Sequence, residues 1–189
     1  MFDRGEGRGL GLVRWDWQKP PSRPVGAPII NARIEKLATG FWLPAFTASR
    51  CVVPMRGYFE WTGGKGDKTP HFLHHDADQL LAAAGLTWSM DVKDVRLRCF
   101  VIVTREARDA SGEVHDRMPV FLTTDAIDAW LEPAKLDRAG REEMLAIVRD
   151  SSTRVAGSIR QRVVDRRVNS VRTVNPHDAT LIEALPLEE

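Results

Sequence analysis

The chain has 189 residues, a length suited to one domain with a single sizeable core. Its apolar fraction of 43% and charged fraction of 28% are those of ordinary globular proteins. No apolar run approaches the roughly 20 residues that span a bilayer. A net charge of +1 argues against a uniformly basic duplex-binding surface, whereas 27 Lys and Arg leave material for a local basic groove.

In chain order, the opening residues lack the apolar stretch of a secretory signal, so the expected location is the cytoplasm. Residues 10–17 read as a short strand and Pro20 to Pro24 as loop. Residues 31–38 read as a short helix closed by Gly40 and Pro44. From residue 51 to 103 the pattern is β, with apolar or aromatic runs at 51–53, 57–61, 72–74, 80–86 and 98–104. Turn-formers at 62–67 and 75–78 separate them most clearly. Thr124 is placed to cap a helix to Trp130, with Asp125 and Asp128 in its first turn. A second helix is expected over 137–148, with Leu136, Met144, Leu145 and Val148 at helical spacing, and a strand over 159–164. Strands followed by helices give an α+β class. Cys51 and Cys99 sit in strand-like contexts and read as reduced, apolar thiols rather than a disulfide framework. The six tryptophans could stack on bases or simply fill core.

Four segments carry candidate chemistry. In Asn31-Ala32-Arg33-Ile34-Glu35 an amide, a guanidinium and a carboxylate fall within one turn and could hold a phosphate and a base edge; an N-cap with a surface ion pair would look the same. Glu60, inside the aromatic run Gly57-Tyr58-Phe59-Glu60-Trp61, would have its carboxyl pushed up by desolvation if it faces inward, or would be unremarkable if alternation points it to water. His115, in His115-Asp116-Arg117-Met118-Pro119, could carry a proton, contact a phosphate, or be structural. The histidines of Pro70-His71-Phe72-Leu73-His74-His75 lack a cysteine partner, and alternation splits them, so no metal is expected there. Phosphate-loop, dinucleotide, paired-cysteine and nucleophile-elbow signatures are missing.

Taken in order, these segments resemble the SRAP family, the SOS response-associated peptidases or abasic-site processing proteins. The resemblance runs through Gly11-Leu12-Val13 with Trp17, the Asn31–Glu35 segment, Arg50-Cys51-Val52-Val53-Pro54, and the segment holding Glu60. It continues through Lys68-Thr69-Pro70, Ala84-Gly85-Leu86-Thr87-Trp88, Thr104-Arg105-Glu106-Ala107 and the segment holding His115. Val168-Asn169 and Asn175-Pro176 resemble the family's C-terminal portion less distinctly. The implied fold is a compact α+β domain with a curved, barrel-like, mainly antiparallel β core, flanking helices and a groove for single-stranded DNA.

The resemblance also implies the chemistry. The family's terminal cysteine condenses its α-amine with the aldehyde of an abasic site and closes a thiazolidine with its thiol, a covalent link accompanied by lyase-like and self-processing peptidase activity. It assigns proton transfer to Glu60, protonation of the sugar oxygen to His115, lesion positioning to Asn31 and a phosphate contact to Arg33. Trp17, Trp61, Arg117, Met118 and Pro119 join Arg33 and Asn31 as expected DNA contacts. The expected partner is single-stranded DNA carrying abasic sites, met by a monomer without metal or small-molecule cofactor. Position two, however, is Phe2 where the family has cysteine, and the chain reaches Gly11-Leu12 sooner than the family does. It therefore reads as one SRAP-like domain over 1–189, shortened at its N-terminus relative to the family. Three functions stand against one another: abasic-site crosslinking, noncatalytic single-strand binding, and an unrelated cysteine hydrolase pairing Cys51 with His115.

Overall fold

The computed structural model describes residues 2–3, 7–17, 28–64, 66–92, 95–170 and 172–185. The expected loop from Pro20 to Pro24 lies outside them. In chain order the strands are β1 (Phe2–Asp3), β2 (Arg8–Gly9), β3 (Arg14–Trp15), β4 (Asn31–Arg33), β5 (Arg50–Met55), β6 (Gly57–Thr62), β7 (Thr69–His75), β8 (Leu81–Val92), β9 (Val95–Glu106), β10 (Arg117–Pro119) and β11 (Ile159–Val163). The helices are α1 (Leu43–Ala48), α2 (Asp109–Val114), α3 (Thr124–Trp130) and α4 (Arg138–Ala156). The class is α+β, as expected, and its antiparallel-rich main sheet is curled into a half-barrel. No helix among the described residues is long and apolar enough to cross a membrane.

The chain forms two compact units. The first comprises Met1–Pro54, Ala82–Arg105 and Pro119–Val155. At its centre β9 pairs antiparallel with β8, with Thr87 opposite Phe100, and in parallel with β3 and β4, with Trp15 opposite Phe100 and Asn31 opposite Ile102. Packing against other elements buries side chains of this central strand on both faces, so that Cys99, Val101, Ile102 and Val103 are all enclosed. Around it pack Trp17, Phe46, Leu86, Leu122, Trp130 and Val148.

Arg50 closes this unit's helices. Its Nε donates to the Trp130 carbonyl at 2.8 Å and its Nη1 to those of Phe46 and Thr47 at 3.0 and 2.8 Å. Nη2 donates to the Glu132 and Ala134 carbonyls. One guanidinium thus satisfies carbonyls left without partners at the ends of α1 and α3.

The second unit comprises Met55–Leu81, Glu106–Met118 and Ala156–Glu189. Its sheet is β6–β7–β11, antiparallel throughout, with Glu60 opposite His71 and Phe59 opposite Phe72. Phe72, Val164, Val168 and Leu181 form its core, with Phe59 packed against them. Gly57 is required by close approach: a Cβ there would run into the Leu73 carbonyl and the Phe72 ring.

Four sequence expectations are corrected. Residues 31–38 do not form a helix. Asn31–Arg33 is a strand, followed by a 3-10 turn at Ile34–Lys36 that has no side-chain cap, because pairing with β9 outweighs local propensity. Of 10–17 only Arg14–Trp15 is strand, the part that reaches β9. Thr123, not Thr124, is the N-cap of α3. The second helix runs on to Ala156, beyond the expected end at 148.

Candidate active site

Strand β6 presents two faces. Phe59 and Trp61 lie on one, their ring centroids 6.5 Å apart, with Phe59 5.2 Å from Phe72 in the unit's core. Tyr58, Glu60 and Thr62 lie on the other. Alternation therefore holds, but the second face is covered: the Tyr58 hydroxyl meets the Ser111 hydroxyl of α2 at 2.9 Å, and Thr62 Oγ1 meets His71 Nε2 at 2.9 Å. Glu60 sits half-buried between them. Burial pushes its carboxyl above the ordinary glutamate value. His115 acts against that rise, the Asp116 charge reinforces it, and Lys68 acts weakly against it.

His115 follows the last residue of α2, and its N–H donates to the Ser111 carbonyl at 3.0 Å. Its Nδ1 lies 3.0 Å from the Arg117 N–H, which it can only accept, and 3.1 Å from Asp116 Oδ1, to which it can only donate. The same nitrogen lies 3.3 Å from the Arg117 carbonyl, so the ring is held within its own segment. The Asp116 carbonyl accepts from the Ala107 N–H at 2.9 Å and ties the segment down. The imidazole remains accessible, its side chain 42% exposed.

On the opposite face of β6, Trp61 Nε1 donates to Asn169 Oδ1 at 2.6 Å, and Asn169 Nδ2 donates to the Lys68 carbonyl at 3.2 Å. Asn169 ends a short 3-10 turn whose N-cap Asp165 accepts from the Arg167 N–H at 2.8 Å and whose Val168 is buried in the core. Trp61, Gly66, Lys68 and Asn169 line a cavity of about 390 Å³. An aromatic face, a cation and an amide around one recess suit a nucleobase and its phosphate.

Of the expected site residues, Glu60, Trp61, His115, Arg117 and Met118 belong to the second unit, and Glu60 and His115 act on one another there. Asn31 and Arg33 belong to the first unit, both exposed on β4 on either side of Ala32, which is buried against β9. Three expected DNA contacts are corrected. Trp17 is core, packed edge-on against Trp42 at 5.0 Å, and Met118 is 1% exposed, so neither offers a face to a base. Pro119, in the first unit, is buried as well. The run of histidines has a structural explanation in part. His71 is buried with Nδ1 2.7 Å from Gln161 Oε1 and Nε2 on Thr62, so both ring nitrogens are engaged. Among the described residues no cluster of His, Cys, Asp and Glu is placed to hold a metal.

Both cysteines are buried, and burial pushes the Cys51 thiol up to about 12, which removes the thiolate that a hydrolase built on Cys51 would need. Sequence reasoning missed Tyr58, Ser111 and the tie from Asn169. The available signals were spacing alone: Tyr58 two residues before Glu60, and Ser111 four before His115.

Comparison with known proteins places this geometry. A sequence model of the SOS response associated peptidase (SRAP) family matches residues 4–171. Abasic site processing protein YMR114C of Saccharomyces cerevisiae is 31% identical over 139 residues, covering 70% of this chain and 37% of that protein. YobE of Bacillus subtilis, also named an abasic site processing protein, is 31% identical over 146 residues, covering 72% and 65%. HMCES of Gallus gallus, which bears the same description, is 31% identical over 161 residues, covering 74% and 46%. The chain thus spans less than two thirds of the length of these relatives. Among solved structures, a Bacteroides thetaiotaomicron protein superposes with a TM-score of 0.65 at 22% identity, covering 82% of this chain and 66% of that one. A phage-related protein of Bordetella bronchiseptica gives 0.62 at 26%, covering 82% and 70%. With a family match over most of its length, the chain belongs to the SRAP family.

Proposed function

We propose that this chain binds single-stranded DNA and processes abasic sites there through a covalent bond between a protein amine, its terminal α-amine, and the aldehyde of the ring-opened sugar. The observation that carries the reading is the Glu60–His115 pair. A half-buried carboxyl pushed up by burial is acted on by the charge of an accessible imidazole held by Asp116 and Arg117.

In this reading His115 gives a proton to the ring oxygen as the bond from C1′ to that oxygen breaks, and the C1′ hydroxyl loses its proton to become the aldehyde. The proton released by the C1′ hydroxyl passes to His115, which returns it to the C1′ oxygen as the amine attacks, while the Glu60 carboxylate accepts the proton the amine sheds. Glu60 then gives that proton to the C1′ hydroxyl, which leaves as water and yields the protonated imine. Loss of a C2′ proton from the imine, with departure of the 3′ phosphate, is the lyase branch; hydrolysis is reversal. Trapping as a thiazolidine needs a thiol beside the amine. Phe2 carries none, and Cys51 and Cys99 are buried. The self-processing peptidase activity in the family's name would use the same proton donor and acceptor. Asn31 and Arg33 contact a base edge and a phosphate, Trp61 stacks on a base and Arg117 neutralises a phosphate. The protein acts in the cytoplasm as a monomer, without a cofactor.

The test is incubation with abasic and intact single-stranded oligonucleotides, with and without borohydride, followed by a denaturing gel and mass mapping of the modified amine. A borohydride-dependent adduct with the abasic strand alone is expected, reduced in Glu60→Gln and His115→Ala. A second reading, noncatalytic single-strand binding, is favoured by the burial of both thiols. Equal, salt-sensitive binding to both strands without any adduct would establish it in place of the first.

A further inference from the structure

We propose that Tyr58 and Ser111 are positioning residues that fix the separation between Glu60 and His115, an inference that rests on the acid–base role proposed for that pair. The two hydroxyls meet at 2.9 Å, and the bond sits one structural repeat away from the reacting groups on each side. Tyr58 is two residues before Glu60 on the same face of β6. Ser111 is four residues before His115, and its carbonyl accepts the His115 N–H at 3.0 Å. A shift of α2 against β6 therefore moves the imidazole against the carboxyl, and this hydrogen bond resists that shift.

The need for a brace follows from the weakness of α2. It has six residues, starts from Arg108 with no side-chain cap, and carries Asp109 at a left-handed φ of 52°. A helix that short does not hold itself in place. Among the described residues the polar contacts of the His115 ring run to Asp116 and Arg117, inside its own segment, and these hold the ring but not its distance to β6. By contrast β6 is rigid, paired with β7 at every residue from Gly57 to Thr62. α2 also packs against β7 and β11, and Ser111, 2% exposed, is where its side chain is hydrogen-bonded to β6 itself. The Tyr58 hydroxyl itself has its ionisation pushed up by burial, so it stays a neutral donor across the working range.

The charged groups acting on Glu60 are His115, Asp116 and Lys68, and His115 is the one that α2 carries into place. Carbon-detected titration of the Glu60 carboxyl reads that influence without any substrate. Replacing His115 by Ala should raise the Glu60 midpoint in the otherwise natural chain, because an imidazolium no longer opposes the rise. In a Tyr58→Phe background the same replacement should raise it much less, and Ser111→Ala should behave like Tyr58→Phe. An equal rise in all three backgrounds overturns the proposal, even if the variants melt earlier, since a purely structural bond would lower stability without uncoupling the pair. On abasic strands, borohydride trapping should slow about tenfold in either variant and no further in the double variant; two independent, multiplying losses would likewise overturn it. If the natural chain traps nothing, the acid–base reading fails, and the titration still decides whether the brace exists.

Discussion

Asn169 holds both sides of the recess that Trp61 and Lys68 line: its side-chain oxygen accepts from the Trp61 indole at 2.6 Å, and its amide nitrogen donates to the Lys68 carbonyl at 3.2 Å. A single amide therefore sets the angle of an aromatic face and the exit of the loop that carries a cation. Because Asn169 ends a turn braced by Arg167, which pairs with Asp165 at 3.0 Å and with Asp178 at 2.9 Å, the amide is presented by a fixed backbone.

Asn169→Ala should free the indole while leaving the core intact. The expected loss in affinity for single strands is about 1 kcal/mol, roughly fivefold, the usual worth of such hydrogen bonds. Fluorescence anisotropy of labelled oligonucleotides measures it. Asn169→Asp, which keeps the acceptor for Trp61 but cannot donate to Lys68, should fall between the two. Unchanged binding in Asn169→Ala would mean that Trp61 is not a stacking surface.

The raised carboxyl of Glu60 gives a stability prediction with a definite sign. The folded state holds this proton to higher pH than the unfolded chain, whose glutamates titrate near about 4.3. Below that range both states are protonated and Glu60 is neutral in its effect. As pH climbs through it, the unfolded chain releases the proton first, so the folded state is progressively penalised up to the folded midpoint. Glu60→Gln should therefore melt higher than the natural chain at pH 7 and converge with it near pH 4. Calorimetry across that range checks it. A variant that melts lower at pH 7 would show that the ionised carboxylate is stabilised by its neighbours rather than strained by burial.

Much of this site was readable along the chain, and the reasons it was not all readable are physical. The aromatic run around Glu60 announced a strand, because β-branched and aromatic residues fit a pleated, half-buried surface. What covers the polar face of that strand was hidden, since Ser111 is 53 residues from Tyr58 in sequence and meets it only through the fold. The Asn31 segment misled for a related cause: its composition suits a helix start, yet pairing with β9 across about 70 residues decides the outcome. Trp17 and Met118 carried no periodicity that separated a buried ring or thioether from a contact surface, and the core claimed both.

Arg50 should be the most sensitive single position in the first unit. Burial lowers its pKa, only partly countered by Glu132, yet its donors meet carbonyls from two helix ends and stay satisfied. Replacing it by Leu removes the donors and leaves those carbonyls enclosed without partners, a cost of at least about 3 kcal/mol. For a chain of this size that corresponds to a fall in melting temperature of roughly 6–12 °C. Arg50→Lys should recover little, because one ammonium cannot span carbonyls that the planar fork reaches from both edges. Recovery to near the natural melting point in Arg50→Lys would refute the claim that fork geometry matters.

Thiol chemistry offers the sharpest separation between the abasic-site reading and a cysteine hydrolase. Cys51 is 5% exposed and Cys99 1%, and the Cys51 thiol is pushed up to about 12 by burial. At pH 8 almost no Cys51 thiolate is present to attack an aromatic disulfide reagent. The folded protein should therefore show a negligible fast phase, with both thiols reacting after denaturation. Cys51→Ala should leave borohydride trapping on abasic strands unchanged, because the proposed mechanism assigns the chemistry to the amine, the carboxyl and the imidazole. Stoichiometric labelling of Cys51 in the native state, together with loss of activity on labelling, would reverse the assignment and restore the hydrolase.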